Sequence, residues 1–280
     1  MGGAGSSLGL GRRAGAQMRR WLAESSDALA SVFFPAGCRI CERMLVRASR
    51  VPICDDCLES FEADPQRKCE ICGQALPSFA AGDEEGLVCP ACKLKTYAFA
   101  RARSFGVYEG ALVRAILLLK FEEIAPLGEW FAGKLAEMVR REDQLLAADV
   151  VVPVPLHRER EKERGYNQSA VIAKPLAKKL RLPHKAVLLM RTRPRPDKQV
   201  LSLEERWSSV RGAFATRPGS QVDKLRVLLV DDVMTTGATL DACARALLES
   251  GAKSVIGLTV ARAARSPMPK VVHAKSQAAR

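Results

Sequence analysis

The chain has 280 residues and a formal net charge of +13, and 48% of its residues are hydrophobic. This apolar fraction excludes a wholly disordered chain and suffices for one medium domain and a smaller one. The longest unbroken apolar stretches have about five residues, far short of the ~20 that a membrane-spanning helix needs. The positive charge favours anionic partners such as nucleic acid or phosphorylated ligands, although a merely basic, soluble protein would also show it.

Residues 1–31 begin with a stretch rich in Gly, Ser and Arg, which is typical of a disordered leader. Apolar residues at helical spacing between Gln17 and Val32 predict a helix after this stretch. The basic start is not followed by the apolar segment of a secretory signal, so we expect a cytoplasmic protein.

Eight of the nine cysteines form four Cys-x-x-Cys pairs within residues 38–92. In a reducing compartment such pairs favour metal over disulfides, because two thiolates on one tight turn can both reach a tetrahedral ion. We therefore predict that residues 32–98 form a cysteine-rich module with two structural Zn²⁺ ions. The predicted ligands are Cys38, Cys41, Cys54, Cys57, Cys69, Cys72, Cys89 and Cys92.

The spacing of the pairs leaves their partners open. Neighbouring pairs would make two successive zinc ribbons, whereas alternating pairs would make a crossed brace. An iron–sulfur site, disulfides and idle thiols are the alternatives to zinc. All eight positions are sulfur, so no ligand position is reserved for water, which favours a structural metal. The ninth, Cys243, is interpreted as a small core residue.

From residue 99 onward, short apolar runs alternate with amphipathic helical patterns. The predicted strands are Arg103–Tyr108, Val150–Val154, Val187–Met190, Arg226–Val230 and Ser254–Val260, and the predicted helices are Ala111–Phe121, Pro126–Arg141, Gln168–Leu180 and Thr239–Ser250. This alternation predicts an α/β domain over residues 99–262, with a mainly parallel sheet flanked by helices. Residues 199–214 are ambiguous, and residues 263–280 are expected to be disordered.

The most informative stretch is residues 227–239. Four apolar residues predict a buried strand, and Asp231 and Asp232 follow at its carboxyl end, where ligands bind in open α/β sheets. The loop Thr235–Thr239 then enters a helix, and backbone N–H groups at such a helix start can hold a phosphate. Gly237 lets the backbone approach closely. Two acids beside a phosphate loop suit a phosphorylated sugar, because carboxylates accept hydrogen bonds from vicinal hydroxyls.

This stretch resembles the fingerprint with which type I phosphoribosyltransferases bind 5-phosphoribosyl-1-pyrophosphate (PRPP). The resemblance implies that Asp231 and Asp232 bind the ribose hydroxyls and that Mg²⁺ accompanies the ligand. It also implies that the 5-phosphate is bound by Thr235, Thr236, Gly237, Ala238 and Thr239. An α/β protein that does not bind PRPP, such as a phosphoacceptor domain, is the alternative.

A wider set of motifs, in the same order, resembles the ComF family, whose best known members assist DNA uptake in bacterial transformation. The motifs are Phe33-Phe34-Pro35, the four cysteine pairs, Lys120-Phe121, residues 152–156, residues 164–168, Gln199 with Leu201-Ser202, Arg206, residues 212–214 and the fingerprint. The resemblance implies a type I phosphoribosyltransferase-like domain behind an N-terminal double zinc ribbon. Two departures bear on substrate specificity: Ser208-Ser209 where Asn is frequent, and Glu122-Glu123 where a glycine turn is common.

Several residues outside the fingerprint are candidates for binding pyrophosphate. The resemblance implies that pyrophosphate lies against the loop after an early strand, which contains Pro155, Leu156, His157 and Arg158. Residues 159–164 correspond in position to a mobile loop that closes over PRPP, and Arg164 would pair with pyrophosphate. The alternative is a solvated charged turn with an N-cap at Asn167. Lys120 either reaches pyrophosphate or only favours the end of its helix.

Two functions are compatible with the sequence. The first is an enzyme that binds PRPP with Mg²⁺ and transfers the phosphoribosyl group to an unknown acceptor, releasing pyrophosphate. The second is a non-catalytic PRPP sensor that binds single-stranded DNA or a helicase-like partner in DNA uptake, through the zinc ribbons and the segment Arg181–Arg217. This segment has nine basic and three acidic residues. Aromatic residues make up only 5% of the chain, which argues against an extensive base-stacking surface.

Overall fold

The computed structural model describes residues 37–45, 50–61, 67–76, 87–94, 97–122, 124–142, 146–194 and 202–263. The predicted leader and helix before residue 33 and the tail after residue 263 lie outside these ranges. A boundary after Phe61 divides the chain into two compact units, and the predicted module 32–98 spans that boundary. The first four cysteines belong to the first unit, and the second four belong to the unit that contains the α/β fold. No helix in the described ranges combines the length and apolar character of a membrane span.

The first unit folds around its cysteines. An antiparallel bridge between Gly37 and Met44 closes a tight turn that carries the first pair. Within this turn Glu42 has a φ of +64° and donates its backbone N–H to the Cys38 carbonyl at 2.8 Å. Helix α1 (Asp55–Glu59) then carries the second pair.

The second cysteine segment repeats this arrangement. Lys68 and Ala75 form the bridge, and Gly73, with a φ of +68°, donates its backbone N–H to the Cys69 carbonyl at 2.9 Å. Helix α2 (Pro90–Leu94) begins between the two cysteines of the last pair and contains Cys92. It starts at a proline, which fits the first helical position because an N–H there would have no partner within the helix. The two cysteine segments are therefore structural repeats.

The α/β fold is built on a four-stranded parallel sheet in the order β1-β6-β5-β2. The strands are β1 (Arg101–Val107), β2 (Val150–Pro153), β3 (Leu189–Arg191), β4 (Phe214–Thr216), β5 (Arg226–Met234) and β6 (Ser254–Arg262). The remaining two strands, β3 and β4, form a separate antiparallel pair. The predicted fold class, a parallel sheet within an α/β domain, is confirmed.

Helices pack on both faces of the sheet. They are α3 (Gly110–Phe121), α4 (Ala125–Arg141), α5 (Arg158–Arg164), α6 (Gln168–Leu180), α7 (Leu203–Ser208) and α8 (Ala238–Glu249). Val227 and Leu229 share a buried cluster with residues of α8, while the intervening Leu228, also fully buried, points to the opposite face. Burial on both faces explains why Val227–Val230 is an unbroken apolar run instead of an alternating one.

Three segments differ from their sequence prediction. Strand β5 continues through both acids to Met234, because β6 pairs alongside it as far as Arg262. The ambiguous residues 199–214 contain α7 and the start of β4; α7 begins with a capping box between Ser202 and Glu205. Residues 159–164, compared with a mobile loop, lie within helix α5, as expected for Glu, Lys and Arg, which have high helix propensity.

The second cysteine segment covers the edge strand of the sheet. The backbone N–H of Ala102 in β1 donates to the Ile71 carbonyl at 2.7 Å, and the buried Arg103 donates to the Glu70 carbonyl at 2.9 Å. A Cβ on Gly73 would lie 3.0 Å from the Ala102 carbonyl oxygen. These contacts protect an otherwise open sheet edge.

Helix α4 contains two glycines, of which only Gly128 packs closely against α6. A Cβ at Gly128 would lie 2.5 Å from Cγ1 and 3.1 Å from the carbonyl oxygen of Val171, whereas a Cβ at Gly133 would meet nothing within 4 Å. Gly128→Ala is expected to lower the free energy of unfolding by about 1–3 kcal/mol through overpacking. The matched Gly133→Ala is expected to raise it by about 0.5–1 kcal/mol. Urea unfolding measures both, and equal stabilities would contradict the packing argument.

Candidate functional site

A cavity of about 380 Å³ lies at the carboxyl ends of β5 and β2. The residues of the predicted fingerprint that line it are Asp231, Asp232, Thr235, Thr236, Ala238 and Thr239. The predicted pyrophosphate-binding residues that line it are Lys120, Pro155, Leu156, His157 and Arg164. Gly237 and Arg158 are not among the lining residues: Gly237 faces the protein interior, and Arg158 is exposed. The fold thus brings residues from distant parts of the chain to one concave site.

The two acids are buried and held from several sides. Oδ1 of Asp231 accepts hydrogen bonds from the Ser169 hydroxyl and from the backbone N–H of Asp232, each at 2.9 Å. Nζ of Lys120, in the last turn of α3, lies 2.9 Å from Oδ2 of Asp232. Neither role considered for Lys120 from the sequence included this ion pair, which places its charge beside the predicted ribose site.

Burial, followed by the charge of Asp232, raises the pKa of Asp231 from 3.8 to about 7. The hydrogen bonds from Ser169 and from the Asp232 backbone, together with the charge of Lys120, act in the opposite direction. Asp231 therefore titrates close to neutral pH, where its carboxyl group can serve either as a donor or as an acceptor towards a hydroxyl group.

Thr235–Gly237 connect β5 to α8, and Ala238 and Thr239, predicted as part of this loop, already belong to the first turn of α8. Gly237 is the N-cap of α8 with a φ of +82°, a left-handed conformation that favours glycine. The Thr236 hydroxyl accepts a hydrogen bond from the backbone N–H of Ala238 at 3.2 Å. Backbone N–H groups at the start of α8 and the positive potential of its N-terminus make this loop suited to an anion.

The predicted phosphate loop packs against two aromatic rings. Tyr97 donates its hydroxyl hydrogen to the Thr236 carbonyl at 3.1 Å, and its ring stacks on Phe99 at 4.6 Å between centroids. A Cβ at Gly237 would lie 3.2 Å from the Tyr97 ring and 2.8 Å from the Met234 side chain. The loop therefore rests directly on the segment that follows the last cysteine pair.

The second cysteine cluster belongs to the same core as this support. Cys69, Cys72, Cys89 and Cys92 are all buried in one apolar cluster with Tyr97, Phe99 and Ala238. The buried guanidinium of Arg262, at the end of β6, donates to the Cys72 sulfur at 3.5 Å. A cation beside this group is favourable to thiolates, the form in which cysteines bind metal.

The eight predicted ligands form two four-sulfur clusters made of neighbouring pairs, and in each the sulfurs lie within 4.8 Å of one another. The Sγ–Sγ distance is 3.6 Å between Cys41 and Cys54 and 3.7 Å between Cys72 and Cys89. A tetrahedron of thiolates ~2.3 Å from one ion has edges of about 3.8 Å. Each cluster therefore fits a single metal ion, and the successive arrangement is the one observed rather than the crossed brace.

The chain after β2 forms another part of the cavity wall. Val154–His157 leads into α5, which ends at Gly165 in the left-handed conformation. Arg164 donates to Oε1 of Gln168 at 2.7 Å, and its guanidinium lies 5.2 Å from the centroid of the Phe121 ring. The predicted N-cap at Asn167 is confirmed, since its side chain accepts from the Ser169 N–H at 3.0 Å.

Sequence reasoning missed several cationic side chains of the site. Arg160, Arg191 and Arg206 line the cavity, and Nη1 of Arg206 donates to the Thr235 hydroxyl at 3.3 Å. Arg191 and Arg206 both come from the basic segment Arg181–Arg217, whose charge was one available signal. For Arg206, its place among the ComF motifs was a second one. With Lys120 and Arg164 they give the lining five basic residues against two acids. This balance suits a ligand with several negative charges.

The shifted pKa of Asp231 predicts a pH-dependent stability. The folded state binds a proton between about pH 4 and pH 7 that the unfolded state releases, so this residue's contribution to the free energy of unfolding falls as pH rises. Asp231→Asn lacks this pH-dependent contribution. As pH rises through this window, its free energy of unfolding is therefore expected to increase by on the order of 1–3 kcal/mol relative to that of wild type. Urea unfolding at pH 5 and pH 8 measures the gain. The exposed Asp223→Asn is the control, and parallel pH curves for Asp231→Asn and wild type would refute the prediction.

Comparisons with known proteins identify the family of this chain. A model of the phosphoribosyl transferase domain matches residues 166–278. DNA utilization protein YhgH of Salmonella typhi is 31% identical over 225 residues, covering 79% of this chain and 94% of that protein. Competence protein F of Haemophilus influenzae is 27% identical over 235 residues, covering 82% of this chain and 99% of that protein. Competence protein ComFC of Bacillus subtilis is 38% identical over 114 residues, covering 40% of this chain and 44% of that protein. With this fold and these motifs, the chain belongs to the ComF family, whose α/β domain is of the phosphoribosyltransferase type.

Proposed function

We propose that the cavity binds PRPP. The observation that carries this proposal is the position of two buried carboxylates, Asp231 and Asp232, next to an anion-binding loop in a cavity lined by basic residues. The acids accept hydrogen bonds from the ribose hydroxyls, and Thr235–Thr239 holds the 5-phosphate. The pyrophosphate lies towards the loop Val154–His157 and Arg164, which form the other wall.

Lys120 has a specific part in this arrangement. In the free protein its ammonium group compensates the charge of Asp232 at 2.9 Å. When hydroxyl groups bind to the acids, the same ammonium group remains beside the ribose and is available to a phosphate oxygen of the ligand. The ion pair therefore limits the cost of burying two carboxylates before ligand binds.

Mg²⁺ would accompany PRPP and neutralise part of the pyrophosphate charge, since this ion is commonly bound through substrate phosphates and carboxylates. In the transfer reaction, the lone pair of an acceptor forms a bond to C1 of the ribose while the C1–O bond to pyrophosphate breaks. Pyrophosphate leaves with the bonding electrons, and the acceptor loses a proton. The basic residues of the cavity stabilise the departing charge, and the acids orient the ribose.

A second candidate function is DNA handling in a cytoplasmic uptake pathway, without turnover of PRPP. Two of the relatives are named competence proteins and one is named for DNA utilization. The exposed basic residues of α5 and of the segment Arg181–Arg217 would bind the phosphates of single-stranded DNA or an acidic face of a helicase-like partner. In this function PRPP would act as an effector.

We further propose that the metal in both cysteine clusters is Zn²⁺ in a structural role. Each cluster has four sulfur ligands at tetrahedral spacing and no position reserved for water or substrate. In the second cluster the ion would hold the segment that leads to Tyr97, and so would support the phosphate loop.

The first test is calorimetric titration of PRPP with Mg²⁺ into the zinc-loaded protein. Saturable binding is expected for wild type, and Asp231→Asn/Asp232→Asn is expected to weaken it roughly 100-fold or more, because charged hydrogen bonds to the ribose are lost. The exposed Asp223→Asn is the matched control. Absence of binding by folded wild type would refute the proposal. Pyrophosphate release with candidate acceptor bases then distinguishes the enzyme from the sensor.

The second test concerns the metals. Two zinc ions per chain are expected in freshly reduced protein by elemental analysis. Cys72→Ser should reduce the zinc content towards one ion and also weaken PRPP binding, because the second cluster shares a core with the support of the phosphate loop. Cys41→Ser should remove the other ion without changing PRPP affinity. Fewer than one ion in wild type, or equal effects of the two variants on affinity, would contradict this assignment.

A further inference from the structure

We infer that Arg206 supplies the cation that binds the 5-phosphate, on the side of the phosphate loop that faces the cavity. This inference rests on the proposed function and adds to the site a residue outside the fingerprint. Nη1 of Arg206 lies 3.3 Å from the Thr235 hydroxyl, and both residues line the cavity. The guanidinium thus reaches the first residue of the loop from another element, α7.

The charge of the ligand favours such a cation beside the loop. Residues 235–239 are Thr, Thr, Gly, Ala and Thr, so the loop has no charged side chain of its own. A phosphate monoester carries about −1.5 to −2 charges at pH 7, whereas a helix N-terminus offers only roughly +0.5. A guanidinium group adds a full charge, and its planar fork of N–H donors matches two phosphate oxygens.

The position of Arg206 is fixed by contacts on both sides of it along the chain. Helix α7 is held at its start by the capping box, in which the Ser202 hydroxyl accepts from the Glu205 N–H at 3.1 Å and the Glu205 carboxylate accepts from the Ser202 N–H at 2.7 Å. The next residue, Trp207, lies 6.0 Å from the Tyr97 ring between centroids.

Through Tyr97 this short helix is connected to the loop a second time. Tyr97 donates to the carbonyl of Thr236, while Arg206 donates to the hydroxyl of the preceding Thr235. Two consecutive residues of α7 therefore contact the loop, one directly and one through the aromatic support. Such a geometry holds the guanidinium beside the loop before any ligand arrives, and this lowers the ordering cost of binding.

This assignment predicts which ligands depend on Arg206. Compounds with a 5-phosphorylated ribose, such as PRPP and ribose 5-phosphate, should require its charge. Inorganic pyrophosphate with Mg²⁺ should bind on the opposite wall, near Lys120 and His157, and should be nearly insensitive to Arg206.

The experiment compares these three ligands by calorimetry in wild type, Arg206→Gln and Arg206→Lys. Arg206→Gln is expected to weaken PRPP and ribose 5-phosphate roughly 10- to 100-fold and to change pyrophosphate affinity less than about 3-fold. Arg206→Lys keeps the charge but not the planar fork, so an intermediate loss is expected. Arg211→Gln, an exposed residue of the same segment that does not line the cavity, is the matched control.

Three results would overturn the inference. If Arg206→Gln binds ribose 5-phosphate as tightly as wild type, or if it weakens pyrophosphate equally, Arg206 does not bind the 5-phosphate. If Thr235→Val causes the same loss and Arg206→Gln adds nothing to it, Arg206 only positions Thr235. If wild type binds PRPP in these cases, the proposed function still stands. If wild type binds none of the three ligands, both the proposed function and the inference about Arg206 are refuted. Thermal unfolding of the ligand-free variants verifies that each one is folded.

Discussion

The parallel pairing of β5 with β2 on one side and β6 on the other is the constraint on which the site depends. Strand β2 ends at Pro153, opposite Val230, while β6 continues beside β5 to its end at Met234. The second half of β5 is therefore fixed on one side and open towards the cavity on the other. Asp231 and Asp232 lie in this half, so the sheet itself orients the acids. A loop would have to be ordered on binding, whereas this strand is ordered beforehand.

Placing two carboxylates side by side in a buried strand is unfavourable, and the surrounding residues show how the fold accommodates it. Lys120 at the end of α3 compensates one acid, and Ser169 at the start of α6 donates to the other. The raised pKa of Asp231 shows that the compensation is partial. Residual electrostatic strain of this kind lowers the stability of the free protein, and the proposed ligand would relieve it through its ribose hydroxyls.

Much of this arrangement was readable from the sequence, because local patterns specify it. The strands of the parallel sheet and helices α3, α4, α6 and α8 follow from their hydrophobic patterns, and they lie close to the predicted ranges. The cysteine pairs form two clusters, and the two acids and the loop after them line one cavity. Contacts between distant segments could not be predicted, because local patterns do not specify which segments meet. These contacts join Lys120 with Asp232, Arg206 with Thr235, and Tyr97 with Thr236. Helix α5 also differs from its prediction, because residues 159–164 resemble a mobile loop in position although their composition favours a helix.

The pairing of the first strand with the last has a consequence for how the protein is made. Strand β1 hydrogen-bonds only to β6 within the sheet, and the cation beside the second cysteine cluster, Arg262, is the last residue of β6. During synthesis the cysteines leave the ribosome long before the strand that completes their surroundings. The sheet cannot close until the domain is fully translated, and such long-range pairing folds slowly. Until β6 forms, the Cys72 thiol therefore lacks the guanidinium group that lies 3.5 Å from it in the folded domain.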